Sequence, residues 1–229
     1  MNCSVSAIIP AAGIGKRFSD KEKKQFYLIN GKPILYYTLK ALQCSFSFLE
    51  YIIGARKEDF DFIKSVCSDL NIKNCKLVLG GKERFDTVYN CLCESSGEYV
   101  LIHDAVRPFI TKQLVTNCLE LAQKYSAAVC GITPRDTVKQ INDGIIDKTI
   151  ERDKLILTHT PQVFEKKLLQ KALQYQRENS LFITDEAMAV ELIGNNVYVT
   201  QSNFSNIKLT QPEDILYFKY LIENEVYKT

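Results

Sequence analysis

From its first residues to about position 134 the chain alternates between short runs rich in β-branched residues and amphipathic stretches of helical spacing. VSAIIP, LEYIIGA, CKLVLGG, EYVLIHDA and AAVCGITP read as strands. PILYYTLKAL, DFDFIKSVCSDL, RFDTVYNCLC and TKQLVTNCLELAQKY read as helices, the first with Pro33 suited to an opening turn. A strand that is apolar throughout is covered on both faces, and strand–helix–strand units place successive strands in parallel. The rhythm therefore predicts an α/β fold, a Rossmann-like, mostly parallel sheet flanked by helices. Ligands in such a sheet bind beyond the C-terminal strand ends. That rule singles out Gly13 to Arg17, Gly80 and Gly81, and His103 to Arg107.

One segment departs from the rhythm. DTVKQINDGIIDKTIERD alternates in period two around Asn142-Asp143-Gly144, a hairpin signal. An isolated two-stranded ribbon is marginal in water. Val138, Ile141, Ile145, Ile146 and Ile150 thus ask for a partner surface, on the same chain or on a second subunit. With no repeat, low-complexity tract or linker, the expectation is one domain over residues 1–229 with a β-arm at about 136–157.

A formal net charge of +2 over 229 residues is too small for a whole-surface nucleic-acid or membrane patch. Any cationic site must be local. The first apolar stretch is broken by Pro10, lacks a basic leader and is too short for a signal peptide or membrane span. The eight cysteines contain no C-x-x-C pair, and Cys91 and Cys93 lie two apart on a predicted helix, where they cannot share a face. They read as buried thiols of a cytoplasmic protein, with neither a metal nor a disulfide framework.

The loop PAAGIGKRF fits neither common phosphate-binding pattern. Pro10 stands where a Walker A glycine belongs and Arg17 where its hydroxyl belongs. Gly13 and Gly15 are followed by Phe18 instead of the third glycine of a dinucleotide fingerprint. Small residues at Ala11, Ala12 and Gly13 still let a ligand press on the backbone, and Gly13-Ile14-Gly15 can present successive N–H groups to an anion. Among the cations that follow, Lys21 and Lys23 read as solvated, whereas Arg17 and Lys24 suit phosphate binding at a strand's C-terminal end.

This stretch, continued by KKQFYLINGKPIL, resembles the opening of the cytidylyltransferases that act on sugar and polyol phosphates. The ordered set GGKERFDTV, HDAVRPF, RDTVK, ERD, THTPQVF, ITDEA and NIKLTQPEDI is similar, over essentially the whole chain, to the 2-C-methyl-D-erythritol 4-phosphate cytidylyltransferase family of the non-mevalonate isoprenoid pathway. The resemblance implies transfer of the cytidylyl group from CTP, with Mg²⁺ as cofactor. It places Arg17 and Lys24 at the transition state of the α-phosphate. Ala11, Ala12, Gly13, Gly81, Lys82 and Thr87 would line the cytosine and ribose pocket. Asp104 and Arg107 would meet the nucleotide phosphates, the Mg²⁺ and the incoming substrate, with Asp104 as metal ligand. Arg152 and Lys208 would orient the methylerythritol phosphate, and Thr137, Thr160 and Thr184 would line its pocket. It further implies a homodimer in which the arm is swapped, so that Thr137 and Arg152 serve the neighbouring site.

The chemistry is consistent with those roles. A substrate phosphate oxygen is already a nucleophilic anion, so cations are needed and a Ser-His-Asp or Cys-His constellation is not. Each residue also has a structural use. His103 ends a strand, and Asp104 can cap a turn or pair with Arg107. Thr184 and Asp185 can start a helix, and Thr210 with Glu213 reads as a capping box. Lys208 lies in an apolar, strand-like run, NIKLT, where it needs a ligand or a carboxylate partner. Two alternatives stay open: a ribitol 5-phosphate cytidylyltransferase, and a regulator that binds CTP without turnover.

Overall fold

Val5, Ala7 and Ile9 on one face of the first strand and Ile8 on the other are all buried, so this strand is central. The computed structural model describes residues 3–13, 18 and 23–224. Strand β1 (Val5–Pro10) is followed by a small ribbon of β2 (Leu28–Ile29) and β3 (Lys32–Pro33). Helix α1 (Ile34–Ser45), β4 (Glu50–Ala55), α2 (Phe60–Asp69), β5 (Cys75–Leu79), α3 (Arg84–Glu94), β6 (Tyr99–Ile102), α4 (Lys112–Tyr125) and β7 (Ala127–Ile132) then follow the expected alternation. The hairpin β8 (Val138–Asn142) and β9 (Ile145–Ile150) interrupts it. Beyond lie β10 (Leu157–Glu165), α5 (Lys166–Glu178), α6 (Glu186–Leu192), β11 (Tyr198–Gln201) and α7 (Asp214–Glu223).

Seven strands form one sheet in the order β11-β7-β10-β6-β1-β4-β5. The first half of the chain pairs in parallel, β1 between β4 and β6 and β4 with β5. The sheet is mixed because β10 inserts antiparallel between β6 and β7. Period-two alternation divides the core into two layers. Ala7, Ile9 and Ile53 pack with Leu39 of α1, Ile63 of α2 and Leu119 of α4. Ile8, Ile52 and Phe164 pack on the other side with Val88 of α3, Leu173 of α5 and Val190 of α6. A third cluster joins Ile29 and Ile34 to Val106, Phe109, Leu209, Phe218 and Leu221. It clamps the turn after β6 against residue 209 and α7, and this fixes one wall of the site.

The hairpin turn has the expected chemistry: Asp143 and Gly144 both adopt positive φ (47° and 80°), the pairing of a type I′ turn. Val138 faces Ile150 and Ile141 faces Ile146, yet Ile141, Ile145 and Ile146 remain well exposed. The cysteines are all free, but only Cys67, Cys91, Cys118 and Cys130 are buried. Cys44 and Cys93 are exposed, which corrects the expectation of buried thiols throughout; Cys93 lies on the outer face of α3 while Cys91 faces the core. Among the described residues, no helix is long and apolar enough to cross a membrane.

Candidate active site

The C-terminal ends of β1 and β5 open into a cleft of about 880 Å³. Pro10, Ala11, Ala12 and Gly13 form one wall and Gly80, Gly81, Lys82 and Thr87 another, and Lys24, Arg84, Asp104 and Lys208 also line it. A Cβ on Gly80 would stand 2.3 Å from Cβ of Ala12, so the two strand ends touch only because residue 80 has no side chain. The Thr87 hydroxyl accepts the Gly81 amide at 3.0 Å and donates to the Glu83 carbonyl at 3.2 Å. Gly13 has open space where a Cβ would project, which leaves its backbone accessible to a ligand.

The short 3₁₀ turn Lys24–Phe26 secures the first loop. Gln25, almost fully buried, donates from Nε2 to the carbonyls of Ala11 (2.7 Å) and Gly13 (2.9 Å). The two lysines before it diverge. Lys23 is tied away by both carboxylate oxygens of Asp59, at 2.7 and 2.6 Å, so it is an ion-paired residue and not the solvated one expected. Lys24 donates to the Leu209 carbonyl at 3.1 Å and lines the cleft. Gly15, Arg17 and Lys21 lie outside the described residues.

Asp104 follows β6 and gathers three cations. Its Oδ1 stands 3.3 Å from Arg84 Nε, and its Oδ2 stands 3.3 Å from Arg107 Nε and 2.9 Å from Lys208 Nζ. Burial alone would raise the pKa of this carboxyl. The charges of Arg84, Lys208 and Arg107 outweigh burial and hold it well below the usual carboxylate range. Arg107 is buried and also donates from Nη1 to the Asn206 carbonyl at 2.7 Å. The Thr160 hydroxyl is buried and accepts the Asp104 amide at 3.1 Å. Thr160 and Arg107 therefore sit directly behind the cleft and support Asp104.

His103 is fully buried, with Nε2 2.8 Å from the Arg107 carbonyl, so the neutral ring carries its proton there. Burial pushes its pKa down to about 4, outweighing the opposing pull of the Arg107 carbonyl and Asp104. It is structural, as expected. Lys208 has the carboxylate partner its apolar setting demanded, although residues 205–210 form no strand; Leu209 N–H donates to the Val106 carbonyl at 3.1 Å. The expected capping box of Thr210 and Glu213 is absent. Asp214 Oδ2 accepts the Thr210 and Gln211 amides instead, at 2.7 and 2.9 Å, because the helix starts at Asp214 itself.

Thr137 and Arg152 lie exposed at the base of the arm, outside the cleft, and Arg152 donates to the Arg135 carbonyl. Thr184 is exposed just ahead of α6, whose N-cap is Asp185 through a 3.0 Å bond from the Met188 amide. Among the described residues, no three histidine, cysteine or acidic side chains converge as a metal cluster. Asp104 uses three of a carboxylate's roughly four lone-pair sites on its cations and keeps one on Oδ1. That donor set suits Mg²⁺ bound through one carboxylate, with phosphate oxygens and water supplying the rest.

Gln25, Arg84, Glu186 and Asn206 were not singled out from sequence. Arg84 carried a signal: a cation at the first position of a helix opposes the helix dipole and needs acidic partners.

The 2-C-methyl-D-erythritol 4-phosphate cytidylyltransferase (IspD) family model matches residues 5–224. Relatives named 2-C-methyl-D-erythritol 4-phosphate cytidylyltransferase include one from Clostridium botulinum (strain Eklund 17B / Type B), 40% identical over 222 residues and covering 95% of this chain and 99% of that protein. Another, from Bacillus mycoides (strain KBAB4), is 38% identical and covers 91% of this chain and 93% of that protein. The crystal structure of 4-diphosphocytidyl-2C-methyl-D-erythritol synthase from Anaerococcus prevotii DSM 20548 superposes with a TM-score of 0.85 at 30% identity, over 96% of both chains. A cleft at the parallel strand ends, floored by a cation-ringed carboxylate, and a match along nearly the whole chain lead to one assignment: the chain belongs to the 2-C-methyl-D-erythritol 4-phosphate cytidylyltransferase family.

Proposed function

We propose that this chain transfers the cytidylyl group of CTP to 2-C-methyl-D-erythritol 4-phosphate, giving 4-diphosphocytidyl-2-C-methyl-D-erythritol and pyrophosphate. The observation that carries this reading is the placement of Lys24 and Lys208 in one cleft with the Ala11–Gly13 backbone. An uncharged wall suits a nucleoside, and cations at the other end suit two phosphate groups that must meet.

The phosphate oxygen of the methylerythritol substrate attacks the α-phosphorus of CTP. A new P–O bond forms, the bond to the β-phosphate oxygen breaks, and pyrophosphate leaves. The nucleophile is anionic at neutral pH, so no general base is required. The protein holds two mutually repelling anions in line and meets negative charge as it develops. In this reading Ala11, Ala12, Gly13, Gly81, Lys82 and Thr87 take the cytosine and ribose, and the turn through Gly15 takes the triphosphate. Arg17 and Lys24 stabilise the α-phosphate, and Lys208 with Arg152 orients the acceptor. Arg107 and Thr160 support the acceptor side from behind through Asp104, and Thr137 and Thr184 complete its pocket. Asp104 is the residue to hold Mg²⁺, which supplies charge neutralisation on the triphosphate when bound.

The exposed Ile141, Ile145 and Ile146 support a homodimer formed through the arm at about 136–157, with Thr137 and Arg152 delivered to the neighbouring subunit's cleft. Residues 1–229, arm included, then act as a single nucleotidyltransferase domain, in a cytoplasmic enzyme. The test is pyrophosphate release with CTP, Mg²⁺ and 2-C-methyl-D-erythritol 4-phosphate, with ribitol 5-phosphate in parallel. Release with the first acceptor alone supports the reading. Release only with ribitol 5-phosphate overturns the acceptor, and silence with both in protein that binds CTP overturns the transferase.

A further inference from the structure

Behind the cleft lies a chain of charges that extends beyond the residues just assigned. Arg84, the first residue of α3, places Nη1 2.6 and 2.8 Å from the two carboxylate oxygens of Glu186 and Nε 3.3 Å from Asp104 Oδ1. Glu186, at the start of α6, is completely buried, whereas the Arg84 side chain is one-third exposed and lines the cleft. The connected group holds Arg84, Arg107 and Lys208 against Asp104 and Glu186, three cations and two carboxylates, leaving one positive charge. An arginine fork can grip two carboxylates at fixed angles, which a lysine cannot.

We propose that Arg84, anchored by Glu186, is a positioning residue for Lys208: it occupies Asp104 Oδ1, so that Arg107 and Lys208 share Oδ2 and the ammonium stays at the cleft surface. The inference rests on the acceptor-phosphate role given above to Lys208. An ammonium has three donors, and Asp104 takes one of them. With Arg84 removed, both oxygens of Asp104 become available to its two remaining cations, and Lys208 is drawn inward, away from a substrate phosphate. No residue of this pair needs to touch the reacting atoms.

The decisive variant replaces the ion pair by apolar side chains, Arg84→Met/Glu186→Leu, because removing one partner alone strands a buried charge. KM for the polyol phosphate is expected to rise on the order of tenfold, with CTP affinity kept within about twofold. Arg84→Lys, which retains a charge beside Glu186 but lacks the fork, should fold normally and show the same rise. An unchanged KM in either folded variant, or an equal loss of CTP affinity, overturns the proposal. A crystal structure of the substrate-free Arg84→Met/Glu186→Leu protein, or of Arg84→Lys should the pair not fold, reads the geometry without any assay. Asp104 turned onto Lys208 supports the role, and both side chains unmoved sinks it. Wild-type protein that turns over no polyol phosphate would refute the proposed activity and leave this structural readout intact.

Discussion

Lys208 Nζ rests 2.9 Å from Asp104 Oδ2, and the pair is held at the cleft by packing on both sides. Leu209 is fully buried against Val106, so the lysine backbone is fixed by the same cluster that fixes the turn carrying Asp104. Lys208→Ala removes a charged donor while leaving its apolar neighbours in place. A charge-assisted hydrogen bond contributes about 1.5–3 kcal/mol, so kcat/KM for the polyol phosphate should fall roughly 10- to 100-fold. CTP binding measured by calorimetry should persist; its loss in folded protein would contradict the assignment.

Adjacent lysines give a sharper contrast. Lys24→Ala should lower kcat on the order of 10²- to 10³-fold, the usual cost of deleting one transition-state donor. Lys23→Ala breaks the pair with Asp59 and a looser one with Glu58 at 3.6 Å, with the lysine side chain 23% exposed, and should cost at most about 1 kcal/mol of stability with kcat within a few-fold. Comparable kcat losses in the two variants would show that the partner seen for Lys23 does not decide which lysine acts.

Acid should destabilise the protein in two stages. His103 and His159 are both pushed by burial to about 4, from 6.5 in the free ring. Between those values the unfolded chain takes up protons that the folded chain refuses, so stability falls as pH drops from about 6.5 towards 4, with a slope of up to two protons. Asp104 behaves differently. Its depressed pKa gives stability that is complete above the ordinary carboxylate range and is lost only as pH falls further. Asp104→Asn should therefore cost about 3 kcal/mol or more near neutrality, with the deficit shrinking below about pH 4. Urea titrations across pH measure both stages, and a flat profile from pH 7 to 5 would contradict the histidine part.

If the arm delivers Arg152 to a neighbouring cleft, inactive subunits should complement. Lys208→Ala and Arg152→Ala proteins, mixed and allowed to exchange, would form heterodimers with one intact site. Random pairing returns roughly a quarter of wild-type activity. Mixtures no more active than their components, in chains shown to exchange, would place both residues in one subunit's site.

What the sequence made readable was local. Alternating apolar runs located the parallel half of the sheet, Asn142-Asp143-Gly144 the separate β8–β9 hairpin, and Asp185 a helix start. The antiparallel insertion of β10 was not readable, because LTHTPQVFE satisfies either direction and only its neighbours decide. The cleft divides the same way. Lys24 and Asp104 followed from strand ends, whereas Arg84 and Glu186 meet across 102 residues, a pairing that no spacing rule reaches. The choice between Lys23 and Lys24 likewise depended on Asp59, which lies 36 residues from Lys23.

That long reach between Arg84 and Glu186 also orders events during synthesis. Translation at about 5–20 residues per second delivers the arginine roughly 5 to 20 seconds before its anchor emerges. Once residue 107 has emerged, and until Glu186 does, the growing polypeptide can assemble β1, β4, β5 and β6, yet it carries Arg84, Asp104 and Arg107 as an unfinished cluster. The cleft is therefore closed electrically by late-arriving residues, and a half-made chain presents the sheet without a competent acceptor site.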